Sequence, residues 1–291
     1  NAIIGFTDLM LQSSQIQGEE RNYLNTIKQS SDNLLHIINE ILDYSKIEAG
    51  KIEFKQEGFN LEAELKKVQQ LFSLEAGKKN LQLTVNIDPS LPAHFIGDSY
   101  RLNQIIVNLM GNAIKFTEQG FVGIHVSGLS LPDNKMSLQF KIKDTGIGIS
   151  KEYQEQIFNA FSQGDNSTTR KFGGTGLGLS ISNQLLGLMQ SRLKVNSEVN
   201  KGSEFYFDVV VKANNTKTIE EINNIEVAVA ETEKPNYGHE NFKVLIVEDN
   251  KINMLLAKTL VKQIIPHGTI YEANNGEEGV TKYNVLQPDI V

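Results

Sequence analysis

The sequence predicts an α+β fold: a helical hairpin, then a sandwich of strands and helices, then the opening of a parallel α/β unit. Three observations carry this. Apolar residues recur at heptad spacing near the start, short runs of apolar–polar alternation separated by turn residues fill the middle, and a β-branched strand with helix, strand and helix patterns behind it closes the chain. Hydrophobic residues make up 40% and charged residues 22% of the 291 positions, as in folded rather than disordered chains. The formal charge is −7, and no dense Lys/Arg stripe stands out, which argues against nucleic acid as a main partner. With no cysteine, disulfides and thiolate metal sites are excluded, compatible with a reducing cytoplasm. No apolar run is long enough to span a bilayer.

Residues 1–50 read as two helices. In the second, Leu24, Ile27, Ser31, Leu34, Ile38, Ile41 and Ser45 alternate by three and four, the spacing of a bundle seam, and Leu35 and Leu42 widen the stripe. The polar stretch 12–20 is the hairpin loop, with Gly18 as breaker. Two helices cannot bury both faces alone, so a homodimeric four-helix bundle is expected; a hairpin packed on its own domain is the blander alternative.

Residues 51–212 form the second domain. Residues 81–87 alternate as a half-buried strand, and residues 101–116 have helical period. Residues 123–129 and 136–143 pair around Pro132-Asp133-Asn134, and residues 193–198 and 204–211 flank Asn200-Lys201-Gly202. Antiparallel pairs with helices between them give a layered sandwich. Residues 213–242, rich in Asn, Thr and Glu, read as a linker. From 243 the order is βαβαβ, so the strands should be parallel. Both ends of the chain read as cuts through folded structure. Residues 243–291 are expected to show poor order and marginal stability, because a partial sheet leaves apolar edges uncovered.

Three clusters carry chemistry. Asp144-Thr145-Gly146-Ile147-Gly148 comes directly after a strand, setting a carboxylate beside a tight bend; an acceptor-only group suits the exocyclic amine of adenine, although a capped Gly-rich turn would read the same way. Gly173-Gly174-Thr175-Gly176-Leu177-Gly178 precedes an apolar helix whose N-terminus offers N–H groups to phosphates, and the polar stretch before it, with Arg170 and Lys171, reads as a lid. Such glycine patterns also occur in plain turns. Asn108 and Asn112 share a helix face with Lys115. Amide oxygens there can ligate Mg²⁺ beside nucleotide phosphates while the lysine neutralises charge; two core-bonded asparagines are the alternative.

Taken together the motifs resemble those of sensor histidine kinases, in family order and spacing. Asn112-Ala113-x-Lys115-Phe116-Thr117 resembles the N box, Asp144-x-Gly146-x-Gly148 the G1 box, Phe158-x-x-Phe161 the F box, and Gly174-x-Gly176-x-Gly178-Leu179 the G2 box. The resemblance implies the GHKL ATP-binding fold and carries roles to matching positions. Asp144 would bind adenine, Asn112 with Asn108 would hold Mg²⁺, and Lys115 would reach the phosphates. Gly146, Gly148, Phe158, Phe161, Arg170, Gly174, Gly176, Leu177 and Gly178 would line the ATP site. Ser203 would buttress Asp144 through its hydroxyl.

Position 108 discriminates between activities. GHKL hydrolases carry a glutamate one turn before the Mg²⁺ asparagine; Asn108 stands here, and an amide is a poor general base. A neutral imidazole needs no such help. The reading is therefore phosphoryl transfer from ATP to a histidine and onward to a receiver aspartate, with Asn108 and Lys115 at the catalytic centre. A GHKL-type ATPase and a nucleotide-binding pseudokinase or dimerisation module are the alternatives.

Residues 1–6 resemble the segment just after the family's H box, whose acceptor histidine would lie ahead of Asn1. None of the five histidines, His36, His94, His125, His239 and His267, has an H-box context, so the chain is not expected to phosphorylate itself. The tail resembles the start of a response-regulator receiver, with Glu248 and Asp249 as Mg²⁺ ligands and the acceptor aspartate past Val291; a plain helix cap is the alternative for that pair. The implied partners are a second copy of the chain and a response regulator or phosphotransfer protein. A membrane would be reached only through upstream segments, leaving this part cytoplasmic.

Overall fold

The computed structural model describes residues 2–13, 15–159, 176–214 and 242–291. The chain divides into two compact units, residues 37–217 and residues 1–36 with 218–291. It opens on α1 (Ala2–Gln12) and α2 (Gly18–Glu48), whose last turns from Ile37 belong to the larger unit.

The larger unit continues with β1 (Glu57–Asn60), α3 (Leu61–Lys78), β2 (Gln82–Ile87), β3 (His94–Gly97), α4 (Ser99–Phe116), β4 (Phe121–Leu131), β5 (Lys135–Asp144), a short α5 (Lys151–Gln154), α6 (Gly178–Leu188), β6 (Lys194–Glu198) and β7 (Gly202–Ala213). The strands form one sheet in the order β1-β3-β7-β5-β4-β2, with β6 also on β7. The sandwich expected from alternation is present, and the hairpin turn before β5 places Asp133 and Asn134 at φ 59° and 57°, the geometry that keeps strand twist continuous. One expectation needs correction: β2 pairs with β4 in parallel, from Gln82↔Phe121 to Ile87↔Val126, because the chain crosses over through α4 between them.

The core lies between the inner sheet face and the helices. Phe140 and Phe207 sit opposite each other on β5 and β7, fully buried, with rings stacked at 5.1 Å. Leu65, Val68, Phe72 and Ala76 of α3 and Ile105, Ile106, Leu109, Met110, Ala113 and Ile114 of α4 fill the other side. α3 starts at Asn60, whose side chain accepts the Ala63 N–H at 2.9 Å, and α4 starts at Asp98, which accepts from Arg101. The end of α2 is held on α4 by Asp43, which accepts from Gln104 Nε2 at 2.7 Å and pairs with Arg101 at 3.3 Å.

In the smaller unit, Lys28 of α2 pairs with Asp8 of α1. Leu24 is buried, whereas Ile27 and Leu34 stay exposed. The same holds further along α2, where Ile38, Ile41 and Leu42 are about half exposed. The unit also holds β8 (Lys243–Val247), α7 (Lys251–Ile264), β9 (Thr269–Ala273) and α8 (Gly276–Leu286). β8 and β9 are parallel, and a parallel bridge between Val244 and Ile290 begins a third strand, as the βαβαβ pattern predicts. Residues 243–291 fold into these regular elements. Each helix is capped locally, Asn250 accepting from Ile252 and Asn253 and Asn275 from Glu278, so backbone satisfaction does not depend on the rest of a sheet. The uncovered apolar surface is nonetheless present, as Leu255, Ile264, Val280 and Val285 are all exposed. Among the described residues no helix is long and apolar enough to cross a membrane.

Candidate nucleotide-binding site

β5 runs through the sheet with alternate residues buried and ends on Asp144, only 5% exposed. Its Oδ1 accepts two backbone N–H groups, Gly146 at 2.8 Å and Ser203 at 3.2 Å. Oδ2 has no hydrogen-bond partner among the described residues. Burial pushes the carboxyl above its ordinary value, and the two N–H groups pull the other way. A carboxylate with one oxygen fixed by the backbone and the other unpartnered is preorganised to accept from a ligand donor.

The glycines around Asp144 are required by close approach. A Cβ on Gly202, where φ is +101°, would collide with the Asp144 carbonyl, and one on Gly148, at φ +67°, with the Glu198 carbonyl. The buttressing hydroxyl expected of Ser203 is corrected by the structure: Ser203 reaches Asp144 through its backbone N–H, while its Oγ meets Ser197 Oγ at 2.9 Å. Ser197 in turn accepts the Ile149 N–H and donates to the Gly202 carbonyl, which ties β6 to the loop after Asp144.

That loop is fastened to the end of α4, where the Ile147 N–H donates to the Phe116 carbonyl at 3.3 Å. One turn earlier lies Asn112. Its Nδ2 donates to Asn108 Oδ1 at 3.3 Å, leaving its own Oδ1 without a partner among the described residues. Asn108 is engaged at both ends, because its Nδ2 also donates to Ser182 Oγ of α6 at 2.8 Å. A Cβ on Gly178, the first residue of α6, would strike Asn108 Oδ1. Asn108 therefore braces α6 against α4 and orients Asn112. Its oxygen accepts a single N–H and keeps a second lone pair, so this bracing is compatible with the metal-ligand role expected from the sequence. An amide oxygen such as Asn112 Oδ1 suits Mg²⁺, a hard cation that takes few protein ligands beside phosphate oxygens.

Lys115 is half-buried on the last turn of α4, its Nζ 5.0 Å from the Phe116 ring centroid, and burial lowers its pKa. Phe158 is partly buried and packs against the core. Gly176 has φ +73°, and Leu177 is buried just ahead of α6, its carbonyl accepting from Ile181. Phe161, Arg170 and Gly174 lie outside the described residues. The residues that sequence reasoning missed are Ser182, Ser197 and Lys79; Ser182 sits just inside the G2 helix pattern and was legible as a polar residue on an apolar helix.

Glu248 and Asp249 belong to the smaller unit, directly after β8. Glu248 Oε1 accepts from the Asn250 N–H at 3.0 Å and from Asn253 Nδ2 at 3.3 Å, and the first of these lowers its pKa most. Asp249 is exposed. The helix cap is Asn250, so the plain-cap alternative does not describe either acid.

Two family models match the chain. "His Kinase A (phospho-acceptor) domain" covers residues 1–50, and "Histidine kinase-, DNA gyrase B-, and HSP90-like ATPase" covers residues 97–213. The signal transduction histidine-protein kinase BarA of Escherichia coli is 44% identical over 220 residues, which is 76% of this chain and 24% of that protein. Hybrid signal transduction histidine kinase K of Dictyostelium discoideum is 33% identical over 286 residues, 96% of this chain and 23% of that one. The chain thus spans about a quarter of the length of these curated relatives. Among solved structures, full-length ShkA in complex with AMPPNP superposes with a TM-score of 0.61 at 25% identity, covering 96% of this chain and 54% of that one. The histidine kinase AdeS of Acinetobacter baumannii shares the fold, with a TM-score of 0.51 at 19% identity, covering 72% of this chain and 92% of that one.

Proposed function

The chain belongs to the sensor histidine kinases, and from that premise we propose that it binds Mg²⁺-ATP and supplies the γ-phosphoryl group to a histidine, from which it passes to a receiver aspartate. Asp144 accepts from the adenine amine. Asn112 holds Mg²⁺ through Oδ1, and Lys115 lies against the phosphates. A magnesium ion held there supplies charge neutralisation at the phosphates. The N-terminus of α6 offers its free N–H groups to the same oxygens.

The observation that carries this reading is the fastening of the Asp144 loop to the end of α4 through Ile147 and Phe116, one turn past an unpartnered amide oxygen. It unites an acceptor for a base amine and a ligand for a phosphate-bound metal on one rigid frame. Transfer is favoured over hydrolysis because position 108 carries an amide committed to Ser182 and Asn112, not a carboxylate to orient water. With positioning and charge neutralisation in place, in-line transfer to a neutral imidazole needs no further base.

The test supplies γ-labelled ATP with a separate histidine-bearing acceptor domain. Label on the acceptor in an acid-labile, base-stable linkage is expected. Release of inorganic phosphate with an unlabelled acceptor would reassign the chain to the hydrolases.

The exposed seam of α2, Ile27, Leu34, Ile38, Ile41 and Leu42, supports a homodimer through the hairpin. Sedimentation equilibrium should return twice the monomer mass, and Ile38→Glu should return the monomer. The parallel β8–β9 pair supports a receiver beginning at 243, with Glu248 and Asp249 beside the strand end as carboxylates for its metal.

A further inference from the structure

The last turn of α4 carries Lys115, and a helix end leaves its final carbonyls without intrahelical partners. In this chain each carbonyl from residue 113 to 117 has a named donor. Thr117 Oγ1 donates to Ala113 O at 2.7 Å, and the Ile147 N–H donates to Phe116 O. The other three, Ile114 O, Lys115 O and Thr117 O, are taken by one side chain, Lys79 Nζ, at 2.6, 3.1 and 3.3 Å.

Lys79 is delivered there by the way α3 ends. The Asn80 N–H bonds to Gly77 O at 3.1 Å and the Leu81 N–H to Ala76 O at 2.9 Å, with Asn80 left-handed at φ 54°. That pair of bonds is a Schellman stop, sealed by the buried side chains of Ala76 and Leu81. It halts α3 with Lys79 beside the negative end of α4, where a cation is favoured. An ammonium has three N–H donors, and all three have carbonyl acceptors here. Lys79 therefore has no donor left for a phosphate; what it can do is fix the backbone from which another cation projects.

We propose that Lys79 is a positioning residue for the nucleotide site and acts through Lys115, an inference that rests on the reading of Lys115 as a phosphate-facing group. By locking residues 114–117 it holds Lys115 at a fixed reach, while the same turn anchors the loop after Asp144.

The test is a double-mutant cycle on Mg²⁺-ATP affinity, measured by titration calorimetry on the whole chain with Lys79→Met, Lys79→Arg, Lys115→Met and the Lys79→Met/Lys115→Met pair. Lys79→Met is expected to weaken binding by roughly tenfold, and Lys79→Arg to recover part of it, because the guanidinium keeps the charge but not the three-way geometry. In the Lys115→Met background, Lys79→Met is expected to add less than about twofold, the signature of two residues acting as one unit. Hydrogen exchange should show faster amides in residues 114–117 and 145–149 and unchanged protection in β5 and β7. Three results would overturn the proposal: affinity unchanged in Lys79→Met, the full loss persisting in the Lys115→Met background, or loss of protection across β5 and β7, which would make Lys79 a stability residue only. Unchanged affinity in Lys115→Met alone would instead strike the phosphate role of Lys115, and the route argued for Lys79 with it.

Discussion

Replacing Asp144 by asparagine separates what the carboxylate does for the ligand from what it costs the fold. The amide carbonyl can still accept the Gly146 and Ser203 N–H groups that Oδ1 accepts now. The second position becomes an NH₂, which offers a donor to a donor where the adenine amine should sit. A hydrogen bond to a charged acceptor contributes about 2–3 kcal/mol, so ATP affinity should fall by about 30- to 150-fold. Stability should move the other way. Burial raises the Asp144 pKa above 3.8, so the folded state holds that proton more tightly than the unfolded chain does. Stability then falls as pH rises from 3.8, and the full penalty is present above the folded-state value. The asparagine variant carries no such penalty, so at pH 7 its melting temperature should equal or exceed that of the parent, and its stability should lose this component of pH dependence. Calorimetric titration with ATP and thermal melts from pH 4 to 8 supply both readouts. Retained affinity would refute the adenine contact. A lower melting temperature with a normal pH profile would refute the account of a strained buried acid.

Asn112→Ala should abolish the Mg²⁺-dependent part of nucleotide affinity while leaving the metal-free part, measured by titrating ATP with and without chelator; equal losses in both would contradict a metal role. Gly202→Ala should destabilise the larger unit by about 3 kcal/mol, from overpacking against the Asp144 carbonyl together with a left-handed φ, read from the denaturant midpoint. A change within about 0.5 kcal/mol, the range of neutral surface changes, would show that the loop yields to the added methyl group instead of resisting it.

What was legible in the sequence was whatever repeats or carries a motif. β5 was visible because alternate residues, Met136, Leu138, Phe140 and Ile142, face the core. β1 and β3, at four residues each, are too short for alternation to show. The period of α3 was readable in Leu61, Leu65, Val68, Phe72 and Ala76, yet no motif drew attention to it. The parallel pairing of β2 with β4 depends on a crossover, which no single segment displays. At the site, residue types at the right spacing pointed to Asp144, Asn112 and Lys115. Their bracing was not readable, because it comes from backbone groups and distant side chains. Ser203 works through its N–H rather than its hydroxyl, Asn108 is committed to Ser182 seventy-four residues away, and Lys79 needs the three-dimensional end of α3 to reach α4.

The proposed function puts base and metal in a single site, one acid taking the base and one helical amide the metal. A structure of the chain with Mg²⁺ and a non-hydrolysable ATP analogue tests it most directly. The prediction is an adenine amine about 3 Å from Asp144 Oδ2 and Asn112 Oδ1 bound to the metal at about 2.1 Å. Adenine seated away from Asp144, or a metal held without Asn112, would contradict it.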